Sequence, residues 1–126
     1  MRKFGERDLT VLSELKEHRY EEIDAKTGEL IFQGFVYSGV TFSMSTNAQS
    51  NLLGTYSAKE LLTYPFAWNA KDDSSTYQIA DAAEMATFFM TALATKKSHQ
   101  DSGTALKTSV RDAVDIAAVN AITDNR

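Results

Sequence analysis

The two histidines are the residues best suited to bind a metal or transfer a proton. His18 stands four residues after Glu14 and four before Glu22, which places all three side chains on one helix face. A zinc site needs at least three ligands in fixed geometry, whereas a Glu–His pair on a charged helix is more often a solvated ion pair. We therefore interpret His18 as half of such a pair and predict no metal site.

His99 lies near Asp101 and Ser102, which are the residue types of a nucleophilic relay. Relays of this kind are assembled by the fold and not by sequence neighbours, and the chain has no Gly-x-Ser-x-Gly turn. There is also no cysteine to act as a thiol nucleophile. The sequence predicts no catalytic residues, so we expect that the protein is not an enzyme.

A glycine-rich segment comes close to a phosphate-binding loop. Gly34, Gly39 and Thr41 approximate the pattern G-x4-G-K-[ST], but Val40 replaces the lysine that contacts phosphate. The acidic turn at Asp72-Asp73 likewise lacks the spaced acids of a calcium loop. We interpret both segments as structural turns and predict no cofactor.

Composition narrows the class of protein. The chain has 126 residues, 13 basic and 17 acidic side chains and a net charge of −4, which is unfavourable for nucleic-acid binding. It has no apolar run of the roughly 18 residues that a membrane helix needs, and the first eight residues lead into no apolar signal segment. We predict a single domain spanning residues 1–126, with no nucleic-acid and no membrane partner.

Hydrophobic spacing predicts a leading helix over residues 8–22, capped by Asp8 or Thr10 and followed by a turn at 24–28. A β-hairpin is predicted over residues 30–45 around Ser38-Gly39, a two-residue loop. Pairing Tyr37 with Val40 would place Phe35 opposite Phe42 and Gln33 opposite Met44.

The middle and end of the chain add further elements. Thr46 begins the capping-box pattern Thr-x-x-Gln, which predicts short helices over residues 46–62, and a second hairpin is predicted over 64–79. Asp81 and Glu84 mark the start of a helical hairpin over residues 81–122, broken at 98–103. The fold class is therefore α+β, and this helical hairpin is expected to serve as the structural base, with Leu93 buried.

The middle third is aromatic and nearly uncharged, with Lys59 and Glu60 the only charged residues in 31–70. Such a composition fits either a core or a partner interface, because interfaces are rich in aromatic residues and poor in charge. Both interpretations stay open. The candidate interface residues are Phe35, Tyr37, Ser38, Gly39, Trp68, Asn69, Asp72 and Asp73.

Several motifs resemble those of small tailed-bacteriophage proteins from virion and tail-fibre gene clusters. The blocks that carry this resemblance are Tyr20-x2-Ile23-Asp24-x2-Thr27-Gly28, Gly34-Phe35-x-Tyr37-x-Gly39, Tyr77-x-Ile79-x-Asp81-Ala82, Phe88-Phe89-x2-Ala92-Leu93, Asp101-Ser102-Gly103-x2-Leu106-Lys107 and Asp124-x-Arg126. The C-terminal part, a Trp-containing hairpin followed by helices, also resembles a domain of unknown function that is common beside phage tail-fibre genes.

The resemblance implies a non-enzymatic structural component of the virion, in the tail or tail-fibre/baseplate region. Such a protein would be assembled in the host cytoplasm, contact other tail or fibre proteins and form a homo-oligomer or symmetric assembly. The alternative is a tail-fibre assembly chaperone absent from the mature particle. No catalytic, cofactor or metal residue is implied.

Overall fold

The computed structural model describes residues 4–126, with side chains from Thr10 onward. It confirms the α+β layout of a leading helix, two antiparallel hairpins and closing helices. The elements are α1 Phe4–Phe32, β1 Phe35–Tyr37, β2 Val40–Phe42, α2 Thr46–Ser57, a 3₁₀ turn Lys59–Leu61, β3 Phe66–Asn69, β4 Thr76–Ile79, α3 Ala82–Asp112 and α4 Ile116–Asn120.

Two compact units make up the chain. The first contains the described residues of Met1–Gly28 together with Gln100–Arg126, and the second is Glu29–His99. The first has a small apolar core of Ile23, Val110 and Val119. The second has a larger aromatic core, formed by Phe35, Phe42, Met44, Leu52, Ile79, Met85, Phe88 and Ala92. The single domain predicted from length stays a prediction.

Helix α1 is longer than predicted at both ends. The predicted turn at 24–28 is wrong, because Thr27 Oγ1 donates to the Ile23 carbonyl at 2.9 Å within a continuous helix. The helix ends beyond Phe32, where Gly34 adopts φ +106° and a Cβ would clash with the Phe42 carbonyl oxygen. Gly34 therefore terminates the helix instead of lying in a strand. The proposed cap at Asp8 or Thr10 is wrong, because α1 already begins at Phe4 and both residues lie inside it.

The predicted register of the first hairpin is confirmed, with Phe35 opposite Phe42 and Tyr37 opposite Val40. Ser38 and Gly39 both have positive φ, 51° and 75°, as the two-residue turn requires. The strands are shorter than predicted, so Gln33 and Met44 do not continue the ladder.

The cap of α2 lies one residue earlier than the capping-box pattern suggested. Ser45 Oγ, not Thr46, accepts from the Ala48 backbone N–H at 3.1 Å, and Gln49 Nε2 donates to the Met44 carbonyl at 2.9 Å. Gly54 lies inside this helix, which continues to Ser57. The second hairpin forms as predicted, with Trp68 opposite Tyr77.

Helix α3 is continuous where a break was predicted. Asp81 caps it, since Asp81 Oδ1 accepts from the Glu84 N–H at 2.8 Å, as expected. The predicted break at 98–103 is wrong: the helix runs through Gly103 to Asp112. The turn comes at residues 113–115 instead, and Asp115 caps α4 by accepting from the Ala118 N–H at 2.7 Å.

Candidate functional site

Phe35 was a candidate interface residue, but it lies in the core of the second unit. Its side chain is 1% exposed, and its ring meets Phe88 edge-on at 5.1 Å and Phe42 at 5.6 Å. A residue so buried cannot touch a partner without unfolding the hairpin. Its role is therefore packing, which corrects the interface assignment at this position.

Tyr37 and Trp68 are half-buried and pack on the same core. The Tyr37 ring lies 5.2 Å from Phe88 and 5.4 Å from Tyr77, and Trp68 lies 5.5 Å from Phe88. Tyr37 Oη donates to Glu84 Oε2 at 3.0 Å. Burial, then the hydrogen bond to Glu84, raises the pKa of Tyr37 to about 12. These aromatics stabilise the unit first, and any partner contact would use only their exposed edges.

Glu84 is a half-buried carboxylate that accepts three hydrogen bonds from its own unit. Its Oε1 accepts from the Ala80 N–H at 2.7 Å, and its Oε2 accepts from the Tyr77 hydroxyl at 2.7 Å as well as from Tyr37. The Ala80 backbone hydrogen bond, followed by that of Tyr77, lowers the pKa of Glu84. A general base needs a lone pair facing substrate. Glu84 is arranged to hold the two hairpins on the first turn of α3.

The remaining candidate interface residues lie at the exposed hairpin tips, where the polar groups are largely paired. Asn69 Oδ1 accepts from Thr76 Oγ1 at 3.1 Å. Asp72 Oδ1 accepts from the Ser74 hydroxyl at 2.6 Å, and this bond lowers the pKa of Asp72. Gly39 and Asp72 line a common polar crevice, while Ser38 and Asp73 are exposed. The structure thus brings the two predicted tips together around a surface that is polar, not aromatic.

An apolar groove between α2 and α3 was not anticipated from the sequence. We call this the α2–α3 groove, and it is lined by Met44, Thr46, Gln49, Ser50, Leu52, Leu53, Phe89, Ala92, Leu93 and Lys96. Its floor is buried, but its rim residues Leu53 and Leu93 are 56% and 42% exposed. The expectation that Leu93 is buried in a structural base is therefore wrong.

The apolar surface continues on α3 beyond this groove. Residues 85–95 contain no charged side chain, and Met90 is 55% exposed. Thr87, Thr91 and Thr95 each donate their hydroxyl to the carbonyl four residues earlier, which satisfies their polar groups within the helix. A helix segment that carries no charge on any side is typical of a helix that other protein surfaces cover on all sides. That uncharged run was the available sequence signal for this surface.

Lys96 is the one cation among the described residues that line the groove. Its Nζ donates to Gln49 Oε1 at 2.6 Å, and Gln49 is itself fixed by its bond to the Met44 carbonyl. Lys96 is half-buried, and no carboxylate among residues 10–126 pairs with it. The groove therefore presents an ammonium group whose hydrogen-bonding partner is a neutral amide.

In the first unit, Arg126 binds groups from three segments. Its Nη1 donates to Thr27 Oγ1 at 2.8 Å and to Ser102 Oγ at 3.1 Å, and its Nη2 donates to the Ile23 carbonyl at 3.1 Å. Asp124 pairs with the same guanidinium at 2.8 Å, and this hydrogen bond lowers the pKa of Asp124. These residues belong to the motif blocks noted above, and their arrangement is structural.

His18 was considered for metal binding because of its spacing from Glu14 and Glu22. His18 pairs with Glu22 at 2.7 Å on an exposed face, as the helix spacing indicated. Among the residues that the structure describes, no group of three histidine or acidic side chains could hold a metal ion. Within the same part of the chain, no helix combines the length and apolar character needed to cross a membrane.

Comparison with known proteins gives one family match. No curated protein and no solved structure matches the chain. The model of one family, described as a domain of unknown function (DUF4376), matches residues 14–124 and so covers both compact units almost completely. The chain therefore belongs to the DUF4376 family.

Proposed function

We propose that the protein is a non-enzymatic structural component of a bacteriophage virion, in the tail or tail-fibre/baseplate region, that acts through protein–protein contacts. The observation that carries the proposal is the exposed apolar surface formed by Leu53, Met90 and Leu93 on α2 and α3. Leu53 and Leu93 line one groove, and Met90 precedes Leu93 by one helical turn. Exposed apolar side chains grouped in this way are typical of a binding face.

Two further features favour contact over catalysis. The Glu84 carboxylate accepts hydrogen bonds from Tyr37, Tyr77 and Ala80. Asp72, at the exposed tip, is bound by Ser74. Both carboxylates are thus used to hold the fold, whereas the apolar side chains of Leu53, Met90 and Leu93 are exposed to solvent.

The placement in a phage tail rests on the resemblance of the motif blocks, since family membership assigns no function. The partners would be other tail or fibre proteins, with copies of this chain arranged symmetrically, and the protein would be assembled in the host cytoplasm and located in the virion. The same apolar surface would also suit a tail-fibre assembly chaperone, which binds its client and leaves.

Peptide mass spectrometry of purified virions separates these functions. We expect peptides of this chain at a fixed stoichiometry relative to the tail proteins after extensive washing. If particles form only in cells that produce the chain but the purified particles lack it, the chaperone function is assigned instead. Presence in cells without any effect on particle formation would reject both.

A further inference from the structure

We propose that the α2–α3 groove binds an amphipathic helix of a partner protein, with a carboxylate of that helix paired to Lys96. This inference deepens the proposed function and rests on it for the biological setting. The groove is about 320 Å³ in volume and open to solvent. The occupant is argued from the shape of the groove and from its charge.

The shape fits a helix of a few turns. On α3 the groove extends from Phe89 to Lys96, and on α2 from Thr46 to Leu53. At 1.5 Å per residue, each wall is about 10 Å long, or two helical turns. Helix-in-groove recognition uses apolar anchors at i, i+3, i+4 and i+7, which span the same length. Leu53 and Leu93, one on each wall, would close over those anchors.

The charge of the groove selects the occupant. Among the described residues that line it, Lys96 is the only ionisable one, and it donates to the neutral amide of Gln49 at 2.6 Å. A half-buried ammonium is poorly hydrated and gains from a carboxylate more than a fully exposed one does. A basic helix would instead bring two like charges together at the end of an apolar groove, which disfavours binding.

Gln49 holds this cation in position. Its Nε2 donates to the Met44 carbonyl at 2.9 Å, and its Oε1 accepts from Lys96. These two bonds fix Lys96 at one end of the groove, so the long lysine side chain loses less freedom when a carboxylate binds. Gln49 is thus a positioning residue for the contact.

The test uses the full chain and three synthetic peptides. Each capped peptide has about 14 residues, with leucines at i, i+3, i+4 and i+7, and the three differ only in carrying Glu, Gln or Lys on both flanks. Calorimetry should show the tightest binding for the Glu peptide and the weakest for the Lys peptide. Lys96→Gln should weaken the Glu peptide about two- to fivefold and leave the Gln peptide unchanged.

The apolar part of the contact has a matched control. Leu93→Ser should weaken every peptide at least about tenfold, because it removes a leucine that the peptide would bury. Leu61→Ser changes a leucine that is 89% exposed and lies outside the groove, so it should have no effect. Circular dichroism must show the native helix content in both variants.

Three results would overturn the inference. They are equal affinity for the Glu and Lys peptides, no loss of affinity in Leu93→Ser, and no binding up to about 1 mM, beyond which such contacts are negligible. Self-association of the free chain that Leu93→Ser abolishes would assign the groove to a second copy and likewise reject it. If the chain binds the Glu peptide but is absent from virions, the groove proposal stands and the structural function is rejected. The failure of one proposal can therefore be told from the failure of the other.

Discussion

Gly103 lies against Thr27 so closely that a methyl group at Gly103 would stand 2.5 Å from Thr27 Oγ1 and 3.2 Å from Arg126 Nη1. The glycine is inside α3 and has an ordinary helical φ. Glycine fits this position because there is no room for a side chain, and not because the backbone needs a special conformation. That close approach allows Arg126 to reach Thr27 and Ser102 together.

Gly103→Ala should therefore destabilise the protein, by about 1–3 kcal/mol, because the added methyl group must displace Thr27 or Arg126. Gly54→Ala is the matched control, since no atom lies within 4 Å of a Cβ at that helical position. It should stabilise the protein by about 0.4–1 kcal/mol through the unfolded state. Urea unfolding measures both, and equal effects would show that Gly103 is not in close contact.

Glu84→Gln should lower the free energy of unfolding at neutral pH by about 1 kcal/mol, because a partly solvated carboxylate loses its charge-assisted hydrogen bonds. The pKa of Glu84 is lowered in the folded state, so its contribution is present above the ordinary glutamate pKa of 4.5 and is lost as pH falls through the folded pKa. Stability of the variant should thus vary less with acid pH than that of the parent.

Unfolding measured from neutral pH down to about pH 3 tests this. Glu17→Gln, which alters an exposed glutamate on α1, is the matched control and should leave the free energy of unfolding at neutral pH nearly unchanged.

Tyr37 should make stability depend on alkaline pH, in the direction opposite to that of Glu84. Its pKa is raised from 10.0 to about 12 in the folded protein. Its contribution is present below pH 10.0 and is lost as pH rises through about 12, and Tyr37→Phe should remove that loss.

Two methionines of α3 distinguish core from surface. Met85 is 0% exposed and Met90 is 55% exposed. Met85→Ser should cost more than about 2 kcal/mol, whereas Met90→Ser should change stability by less than about 0.5 kcal/mol. If Met90 lies in a partner contact, Met90→Ser should still reduce the amount of this chain in purified virions. Normal incorporation of the folded Met90 variant would remove Met90 from the contact surface.

Replacing His18 and His99 with glutamine should leave particle assembly and infectivity intact. His18 belongs to an exposed pair with Glu22 that contributes less than about 1 kcal/mol. Plaque counts with the double variant measure the outcome, and thermal unfolding confirms that it is folded. Loss of infectivity by a folded double variant would point to chemistry that neither the sequence nor the site indicated.

Local chemistry made parts of the fold predictable. Ser38-Gly39 determines the register of the first hairpin because both residues tolerate positive φ, and Asp81 with Glu84 marks the start of α3. Contacts between elements explain what was missed. Gly34 was predicted to lie in a strand, but it ends α1 with a positive φ, close to the Phe42 carbonyl. Gly103 was predicted to lie in a helix break, but it is inside α3 and packs against Thr27. Nothing near Gly103 in the sequence indicates its contact with Thr27, which lies far away along the chain.

The candidate site was predicted less well, for a related reason. Apolar residues occur all round α3 between residues 85 and 95, so periodicity alone cannot tell which of them the fold covers. Met85 and Phe88 are buried, whereas Met90 and Leu93 are not. Likewise, alternation in the first hairpin identifies two faces but not that Phe35 belongs to the inner one.

Lys71 joins segments that are distant along the chain. Its backbone N–H donates to the Thr41 carbonyl at 2.9 Å, and its ammonium group donates to the Phe32 and Gln33 carbonyls at 3.3 and 3.0 Å. Hairpins and helices form locally and early, whereas a contact across 38 residues must wait for them. Lys71→Met should therefore accelerate unfolding with little change in the folding rate. The ammonium hydrogen bonds of this lysine would thus prolong the lifetime of the native state.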